Sequence, residues 1–286
     1  MLSIRGLRLF GATCLVVGVL MAGVAPAAAQ DENPNGGAIS FSGGIDFLNA
    51  YFFRGIPQDD SGVIMWPYGD LGFALYDGEG GLSSVGLNVG TWNSLHTGNA
   101  GSDGPSGELW YESDFYTSLG LEFAGGAGLG VTYTAYTSPN SSFGTVKELS
   151  FSFSYDDSEV LGSAALSPYL TIAQELDGQA DGGLNEGTYL ELGVSPSYQA
   201  QQVNLSVPIK LGFSLNDYYE GVDGDEKFGF FSIGGVVSVP LTQSPTKFGS
   251  WELHGGIEFL SLGNFNEAIY GDSSAVVGSF GIGLSY

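Results

Sequence analysis

The chain has 286 residues, of which 43% are hydrophobic, and seven basic against 31 acidic residues give it a formal charge of −24. This excess of carboxylates excludes nucleic acid as a partner, because the few basic side chains cannot neutralise a phosphate backbone. The single cysteine, Cys14, leaves no pair for an intrachain disulfide. The charge favours cations and neutral molecules as partners.

The first 29 residues have the pattern of a secretory signal peptide. Arg5 and Arg8 precede an apolar run, and three consecutive alanines follow it just before Gln30. We therefore predict a signal peptide over residues 1–29 and one folded domain over 30–286. That domain keeps all 31 acidic but five basic residues, so its formal charge is −26. It contains no apolar run near the roughly 20 residues that a transmembrane helix needs.

Apolar and polar residues alternate with a period of two through the whole domain, which predicts strands. We count twelve, each about as long as a tilted membrane-spanning strand of roughly 9–11 residues or slightly longer. No segment shows a helical period. The strands are placed near residues 39–53, 63–76, 82–93, 108–123, 128–137, 146–155, 164–175, 187–198, 203–216, 228–241, 249–261 and 275–286.

The connections between these strands alternate between short and long. Short turns such as "AGGAG" are followed by long polar segments such as "NDYYEGVDGDEK". An up-and-down barrel with both termini at one end places the five shorter connections at that end and the six longer ones at the other. The order therefore predicts an all-β, transmembrane, antiparallel up-and-down β-barrel of about twelve strands.

The two faces of each predicted strand differ in chemistry. The strand near 108–123 places Tyr111 and Phe115 on the apolar face, and Trp110, Glu112 and Asp114 on the other. A soluble secreted β-sandwich would also alternate, and it remains an alternative. Long apolar faces, together with opposite faces rich in glycine and serine, favour the membrane barrel.

The last strand alternates to the final residue. Its apolar face carries Phe280, Ile282, Leu284 and Tyr286. Such a strand closes a barrel by pairing with the first, and a terminal aromatic resembles the signal that the outer-membrane assembly machinery recognises. We therefore expect the bacterial outer membrane, with lipid, lipopolysaccharide and the barrel assembly machinery as partners.

Carboxylates collect on the polar faces, where unpaired charges would be costly in a dry interior. An excess of Asp and Glu in a pore favours cations, so we predict a porin-like channel for passive diffusion of small cationic or neutral solutes. The alternative is a closed barrel, filled by large side chains and salt bridges, that acts as a surface receptor or adhesin through its acidic loops. The polar-face residues are Asp46, Asp70, Glu112, Asp114, Glu122, Glu148, Glu175, Glu191, Glu252 and Glu258, with Lys210 and His254 as the basic members.

Catalysis has little support in the sequence, and we predict neither an enzyme nor a cofactor. Ser250 and His254 share one strand face but lie about 13 Å apart, too far for a nucleophile and its base. His96 has no partner that the sequence identifies.

The acidic loops carry oxygen ligands of the type that binds calcium, for example Asp181 and Glu220. Their spacing does not fit an EF-hand, so the metal question stays open. Divalent cations that bridge the loops to lipopolysaccharide phosphates are the simpler hypothesis.

Residues 46–62, "DFLNAYFFRGIPQDDSG", resemble the first-strand signature of the TorF-like porins. The shared features are an aromatic pair, a Phe-Arg-Gly sequence and a nearby glutamine, carried here by Tyr51, Phe53, Arg54, Gly55 and Gln58. The resemblance implies an outer-membrane barrel and says nothing about the solute. The family's usual Asp-Tyr pair is Ala50-Tyr51 here.

Arg54 carries the clearest expectation for a side-chain contact. Its guanidinium can bind a carboxylate in bidentate fashion, either in the loop at Asp59-Asp60 or inside the barrel. A structural latch and a solute filter are both compatible with such a pair.

Overall fold

The computed structural model describes residues 37–221, 224–241 and 248–286. The expected signal peptide, residues 1–29, lies outside the described residues. No helix in the described part is long and apolar enough to cross a bilayer. The elements in chain order are β1 (Ile39–Leu48), β2 (Tyr51–Phe53), β3 (Ile56–Asp59), β4 (Ile64–Asp77), β5 (Leu82–His96), β6 (Trp110–Phe123), β7 (Ala127–Thr137), β8 (Val146–Tyr155), α1 (Ser158–Leu161), a 3-10 turn (Gly162–Ala164), β9 (Tyr169–Asp177), β10 (Thr188–Val194), β11 (Ser197–Ala200), β12 (Val203–Ser206), β13 (Ile209–Asn216), β14 (Glu220–Gly221), β15 (Gly224–Asp225), β16 (Phe228–Pro240), β17 (Ser250–Leu262), α2 (Asn264–Tyr270) and β18 (Ser274–Ser285).

One antiparallel sheet closes on itself to form the barrel. Each strand pairs with its sequence neighbour, and β1 pairs with β18, so that Ile45 lies opposite Ile282. The wall has twelve strands, because β10 with β11 and β12 with β13 each form one strand that a proline interrupts. Closure leaves no sheet edge to shield. The prediction of a twelve-stranded transmembrane barrel is confirmed, and the β-sandwich alternative is wrong because a single sheet wraps around the interior.

Backbone hydrogen bonds continue next to the two prolines that interrupt these wall strands, Pro196 and Pro208. The amide of Val207 donates to the carbonyl of Pro196, and that of Gly234 donates to the carbonyl of Pro208. The preceding strand, β9, begins at Tyr169 and not near residue 164 as predicted, because α1 and the 3-10 turn occupy the connection.

The outward face of the wall is apolar, as a lipid-facing surface requires. Examples from six strands are Phe41, Leu71, Phe115, Leu129, Phe151 and Phe259, all exposed. Exposed aromatic side chains also lie near the end at which β1 begins and β18 ends, where Trp251 and Tyr286 form part of a belt. We call this the turn end and the opposite end, with the longer connections, the loop end.

The first strand departs from the prediction at its loop end. The wall strand ends at Leu48, not at residue 53. At the next residue, the Asn49 side chain takes the place of one pair of backbone hydrogen bonds. Its side-chain nitrogen donates to the carbonyl of Val276, and its side-chain oxygen accepts from the backbone amide of Gly278. From there the chain turns inward, and residues 51–59 enter the barrel as a hairpin, which we call the plug hairpin.

The plug hairpin is a two-stranded sheet of its own, β2 with β3. Phe53 pairs with Ile56, which leaves Arg54 and Gly55 as the two turn residues. Their φ angles of 51° and 83° are those of the type I′ turn that matches strand twist. Every hairpin residue from Tyr51 to Ile56 is buried.

Candidate functional site: the plugged barrel interior

Aromatic side chains hold the plug hairpin inside the loop end. The ring of Tyr51 meets the edge of Trp66 at 5.2 Å between centroids, and it contacts Trp92 at 5.7 Å. Phe53 contacts Tyr136 at 5.3 Å. These edge and tilted contacts are the favoured geometry for aromatic pairs and each adds about 0.5–1.5 kcal/mol to burial.

Arg54, at the tip of the hairpin, binds a carboxylate of the wall. Its two terminal nitrogens donate to the two oxygens of Glu148 on β8, at 2.6 and 2.8 Å, and one of them also donates to the Tyr218 hydroxyl at 2.8 Å. The guanidinium lies 4.3 Å from the ring centroid of Tyr189 and 5.0 Å from that of Phe53. The expected bidentate pair is therefore formed inside the barrel, and not with Asp59-Asp60.

Helix α2 and the wall approach the turn of the hairpin too closely for a side chain at Gly55. A Cβ atom there would lie 2.6 Å from the Asn266 amide nitrogen and 3.0 Å from Phe230. The Asn266 amide is itself fixed, because it donates to the carbonyl of Gly229 at 2.8 Å. Tyr219 donates its hydroxyl to the carbonyl of Arg54 at 2.8 Å. Both residues of the Arg-Gly pair thus have a structural reason: Arg54 forms the ion pair with Glu148, and Gly55 leaves room for the close approach of Asn266 and Phe230.

A second polar contact fixes the other strand of the hairpin. Asp59 lies 2.8 Å from Nδ1 of His96, and Nε2 of that ring lies 2.6 Å from the Ser94 hydroxyl. Burial raises the pKa of Asp59, but hydrogen bonds from Ser61 and His96 outweigh it and leave that pKa below its usual value. Both wall residues lie on β5. No partner for His96 could be identified from the sequence, because Asp59 lies on a separate segment 37 residues away.

Ser94, His96 and Asp59 have the order of contacts found in a nucleophile, base and acid triad. Ser94 and His96 are fully buried, and the Ser94 oxygen also accepts a hydrogen bond from the Trp66 indole at 2.9 Å. A substrate could reach Ser94 only if the hairpin moved. That movement would remove Asp59 from His96, so the hairpin that completes the triad also covers it. The arrangement therefore acts as a pin for the hairpin.

A bulge in the wall corrects the predicted faces of the strand near 108–123. The pairing of β5 with β6 shifts between Ser94 and Leu95, so Tyr111 points inward and Trp110 outward. The Tyr111 hydroxyl donates to Oε1 of Gln58, on the hairpin, at 2.6 Å. All five motif residues named from the sequence thus belong to the plug hairpin.

The residues predicted to line a pore lie on the inward face of the wall, and several form pairs. Lys210 lies 2.8 Å from Glu258, and His254 lies 2.5 Å from Asp46. Glu191 accepts hydrogen bonds from the hydroxyls of Tyr169 and Tyr189. Glu252 lies 3.7 Å from Nδ1 of His254. Among the described residues the other members, Asp70, Glu112, Asp114 and Glu122, form no ion pair.

Three inward tyrosines lie over glycines of neighbouring strands. A Cβ atom at Gly44 would collide with the ring of Tyr68, and the same holds for Gly90 beneath Tyr116. Tyr169 covers a glycine of β10 in the same way. Each of these rings therefore lies along the wall, in the space that the side chain of a larger residue would occupy.

The loop carboxylates bind backbone amides of their own chain. Glu220 accepts hydrogen bonds from the amides of Leu184 and Asn185 and from the Asn185 side chain, and those from Asn185 lower its pKa. Burial raises the pKa of Asp181. Within the ranges that the structure describes, no group of three or more His, Cys, Asp or Glu side chains is arranged to hold a metal ion.

The last strand presents its apolar face outward. Phe280 stacks on Phe47 with 5.0 Å between centroids, and Ile282 and Leu284 lie on the same face. Tyr286 exchanges two backbone hydrogen bonds with Phe41, at 2.6 and 2.7 Å. The final residue is therefore part of the barrel seam.

No family model matches the chain, and no curated protein matches it in sequence. Among solved structures the chain is similar to the NanC porin, with 12% identity over 86% of this chain and 99% of that chain and a TM-score of 0.43. Outer membrane phospholipase A from Escherichia coli is 11% identical over 85% and 92% of the two chains, with a TM-score of 0.43. The translocator domain of autotransporter NalP from Neisseria meningitidis is 11% identical over 88% and 90%, with a TM-score of 0.39. The TorF-like resemblance rests on the motif alone, and we draw the function from the residues of this chain.

Proposed function

We propose that the protein is a porin-like channel of the outer membrane that is closed here by its plug hairpin and that passes small cationic or neutral solutes when the hairpin moves. The observation that carries this proposal is the construction of the plug. A barrel sealed permanently could fill its interior with side chains of the wall, whereas this one inserts a separate two-stranded sheet.

The attachment of the hairpin supports a plug that can leave. Besides the aromatic packing, three polar side-chain contacts hold it to the wall: Arg54 with Glu148, Asp59 with His96, and Gln58 with Tyr111. Side-chain contacts of this kind break without disrupting the hydrogen bonds that close the barrel. The hinge is the point after Leu48 at which the chain leaves the wall.

The charges of the interior support a preference for cations. Once the hairpin leaves, the path between the ends passes Glu112 and Asp114, then Asp70, and then Glu122 near the turn end. Rings of Asp and Glu are a known basis for cation preference. Lys210 is neutralised by Glu258, so it does not cancel the field of the unpaired carboxylates.

The location and the partners follow from the same architecture. We place the turn end in the periplasm and the loop end outside, as is usual for barrels with short periplasmic turns. The predicted signal peptide over residues 1–29 and the terminal strand that ends at Tyr286 support delivery to the assembly machinery. The acidic loops would meet lipopolysaccharide, with divalent cations between the two sets of anions. The motif in residues 46–62 favours membership of the TorF-like porins.

The selectivity is tested by the reversal potential in a planar bilayer under a KCl gradient. The sample is the refolded barrel with residues 51–59 replaced by a short Gly-Ser linker. We expect a cation-selective reversal that moves toward zero in Asp70→Asn with Glu122→Gln. The control is Asp177→Asn, a carboxylate exposed at the loop end, which should leave the reversal potential unchanged. Anion selectivity, or no change in the double variant, would contradict the proposal.

A closed barrel that works as a surface receptor or adhesin is the second candidate. The observation that favours it is the loop end itself, where Phe52 of the hairpin packs against Tyr270 of α2 at 5.0 Å between centroids and buries the entrance. No conductance from a barrel shown to be folded, inserted and without its hairpin would support this function and exclude the channel.

A further inference from the structure

A small cavity lies between the plug hairpin and the loop end. Its volume is about 50 Å³, and one water needs about 10–15 Å³ by the same measure, so it holds roughly four non-hydrogen atoms. The lining combines four aromatic rings with one carboxylate and two amides. The residues are Tyr51, Phe53, Tyr136, Phe143, Glu112, Gln58, Gln179, Val146 and Ala180.

The carboxylate of the cavity belongs to a buried pair without a counterion. Glu112 and Asp114 are 4% and 1% exposed and lie two residues apart on the inward face of β6, where their carboxyl groups interact. The nearest cation in the hairpin, Arg54, is bound to Glu148. No Lys or Arg within the described ranges pairs with either carboxylate. A cation bound beside this pair would offset the cost of holding its carboxyl groups ionised in a buried place.

One incompletely used hydrogen-bonding group points to the same place. The hydroxyl of Tyr51, which lines the cavity, interacts with the Glu112 carboxyl group but makes no hydrogen bond of good geometry within the described ranges. Buried polar atoms are almost always paired in folded proteins. A bound ligand that forms a hydrogen bond beside Tyr51 and Glu112 would explain this exception.

We infer that this cavity binds a small alkylammonium ion, with its N–H directed at Glu112 and its methyl groups against Tyr51, Phe53, Tyr136 and Phe143. Aromatic walls around a carboxylate are the arrangement that recognises substituted ammonium ions. The inference rests on the proposed function in one respect, since it names the class of cationic solute that the channel would select at its outer entrance.

The lining favours an organic cation over a metal ion. A divalent metal takes six or more oxygen ligands in protein sites of calcium type, and no metal-binding group of acidic side chains occurs among the described residues. Four of the nine lining residues are aromatic, and such rings attract the diffuse charge of a methylated amine while repelling the hydration shell of a metal.

The test is ligand-detected saturation-transfer NMR with trimethylammonium chloride, whose four non-hydrogen atoms match the cavity. The sample is the intact, refolded barrel in detergent at pH 7, and the variant is Glu112→Gln. The matched control is Glu108→Gln, which removes the same charge from an exposed position four residues earlier. We expect at least tenfold weaker binding in Glu112→Gln, three- to tenfold weaker binding in Phe143→Leu, and no change in Glu108→Gln.

Four results would overturn the inference. The first two are no binding to the folded wild type and equal binding to Glu112→Gln. The third is equal binding of neutral tert-butanol, which would show a purely apolar pocket. The fourth is competition by K⁺ at the same concentration, which would indicate an inorganic cation site. The NMR experiment measures binding independently of ion conductance, so the two proposals can fail separately. A barrel that binds trimethylammonium but does not conduct contradicts only the channel. A barrel that conducts but does not bind trimethylammonium contradicts only the ammonium site.

Discussion

Arg54 should control how often the plug hairpin leaves the barrel. Arg54→Met keeps the volume of the stem between Phe53 and Tyr189 but removes the charge. The Glu148 carboxylate, 3% exposed, would then keep only the Tyr136 hydroxyl, 3.3 Å away. Removing one partner of a buried ion pair costs about 3–5 kcal/mol. At about 1.4 kcal/mol for each factor of ten, the undocked fraction should rise about 140- to 4,000-fold.

The assay is maleimide labelling of Ala173→Cys in the refolded barrel. Ala173 is fully buried on the inward face of β9 and lies opposite Tyr189 in the ladder, the residue whose ring contacts the Arg54 guanidinium. The predicted mature domain has no other cysteine, since the single one is Cys14. When redocking is faster than labelling, the rate is proportional to the undocked fraction.

Two control variants separate the latch from general destabilisation. Lys147→Ala breaks an exposed pair with Asp177, which is worth about 0–1 kcal/mol, so labelling should stay within a few-fold of wild type. Arg54→Met combined with Glu148→Gln removes both charges and should label more slowly than Arg54→Met alone. A rate in Arg54→Met equal to that of wild type, in a barrel that is folded, would refute the latch.

Three further predictions concern the hairpin and the seam. In Gly55→Ala the new side chain must adopt the positive φ of this position and would clash with Asn266. The variant should therefore lower the unfolding free energy in urea by more than the roughly 1–2 kcal/mol of the φ penalty alone. The control Gly107→Ala, at a φ of +65° with open space around it, should show only that penalty. Asp59 has a lowered pKa, so its contribution is complete above the unfolded value of about 3.9 and is lost as the pH falls through the lower, folded value. The urea midpoint of wild type should therefore fall more steeply in that range than the midpoint of Asp59→Asn, and parallel curves would exclude the Asp59 pin. Tyr286→Ser should reduce the amount of protein in the outer membrane but not refolding in detergent, and unchanged levels in cells would exclude an assembly role for the terminal aromatic.

The wall of the barrel was predictable because a period of two and alternating loop lengths are local signals. The plug hairpin was not, because Tyr51 and Phe53 continue the apolar parity of Phe47, as they would in a longer strand. One residue did carry a signal. Asn49 is a polar residue at a position where the alternation predicts a lipid-facing side chain. It lies where the chain leaves the wall, and its side-chain amide forms the hydrogen bonds to β18 that the backbone no longer makes.

Side-chain contacts between distant segments were the least predictable part of the site. Arg54 was expected to bind a carboxylate, but its choice of Glu148 depends on how far the hairpin enters the barrel. His96 lies 37 residues from Asp59, and only the fold brings them together. The exchange of faces at Trp110 and Tyr111 depends on one bulge, which no periodicity reveals. Helix α2 was missed because seven residues are too few to show a helical period.

Single-channel recording of the wild-type barrel beside the barrel without its hairpin tests the central claim most directly. Both proteins are refolded, inserted into planar bilayers and recorded under the same voltage. We predict that the wild type is closed most of the time and opens in brief discrete steps, and that replacing residues 51–59 gives a lasting current of the same step size. Equal open fractions in the two proteins, or silence from both, would contradict a channel closed by the plug hairpin.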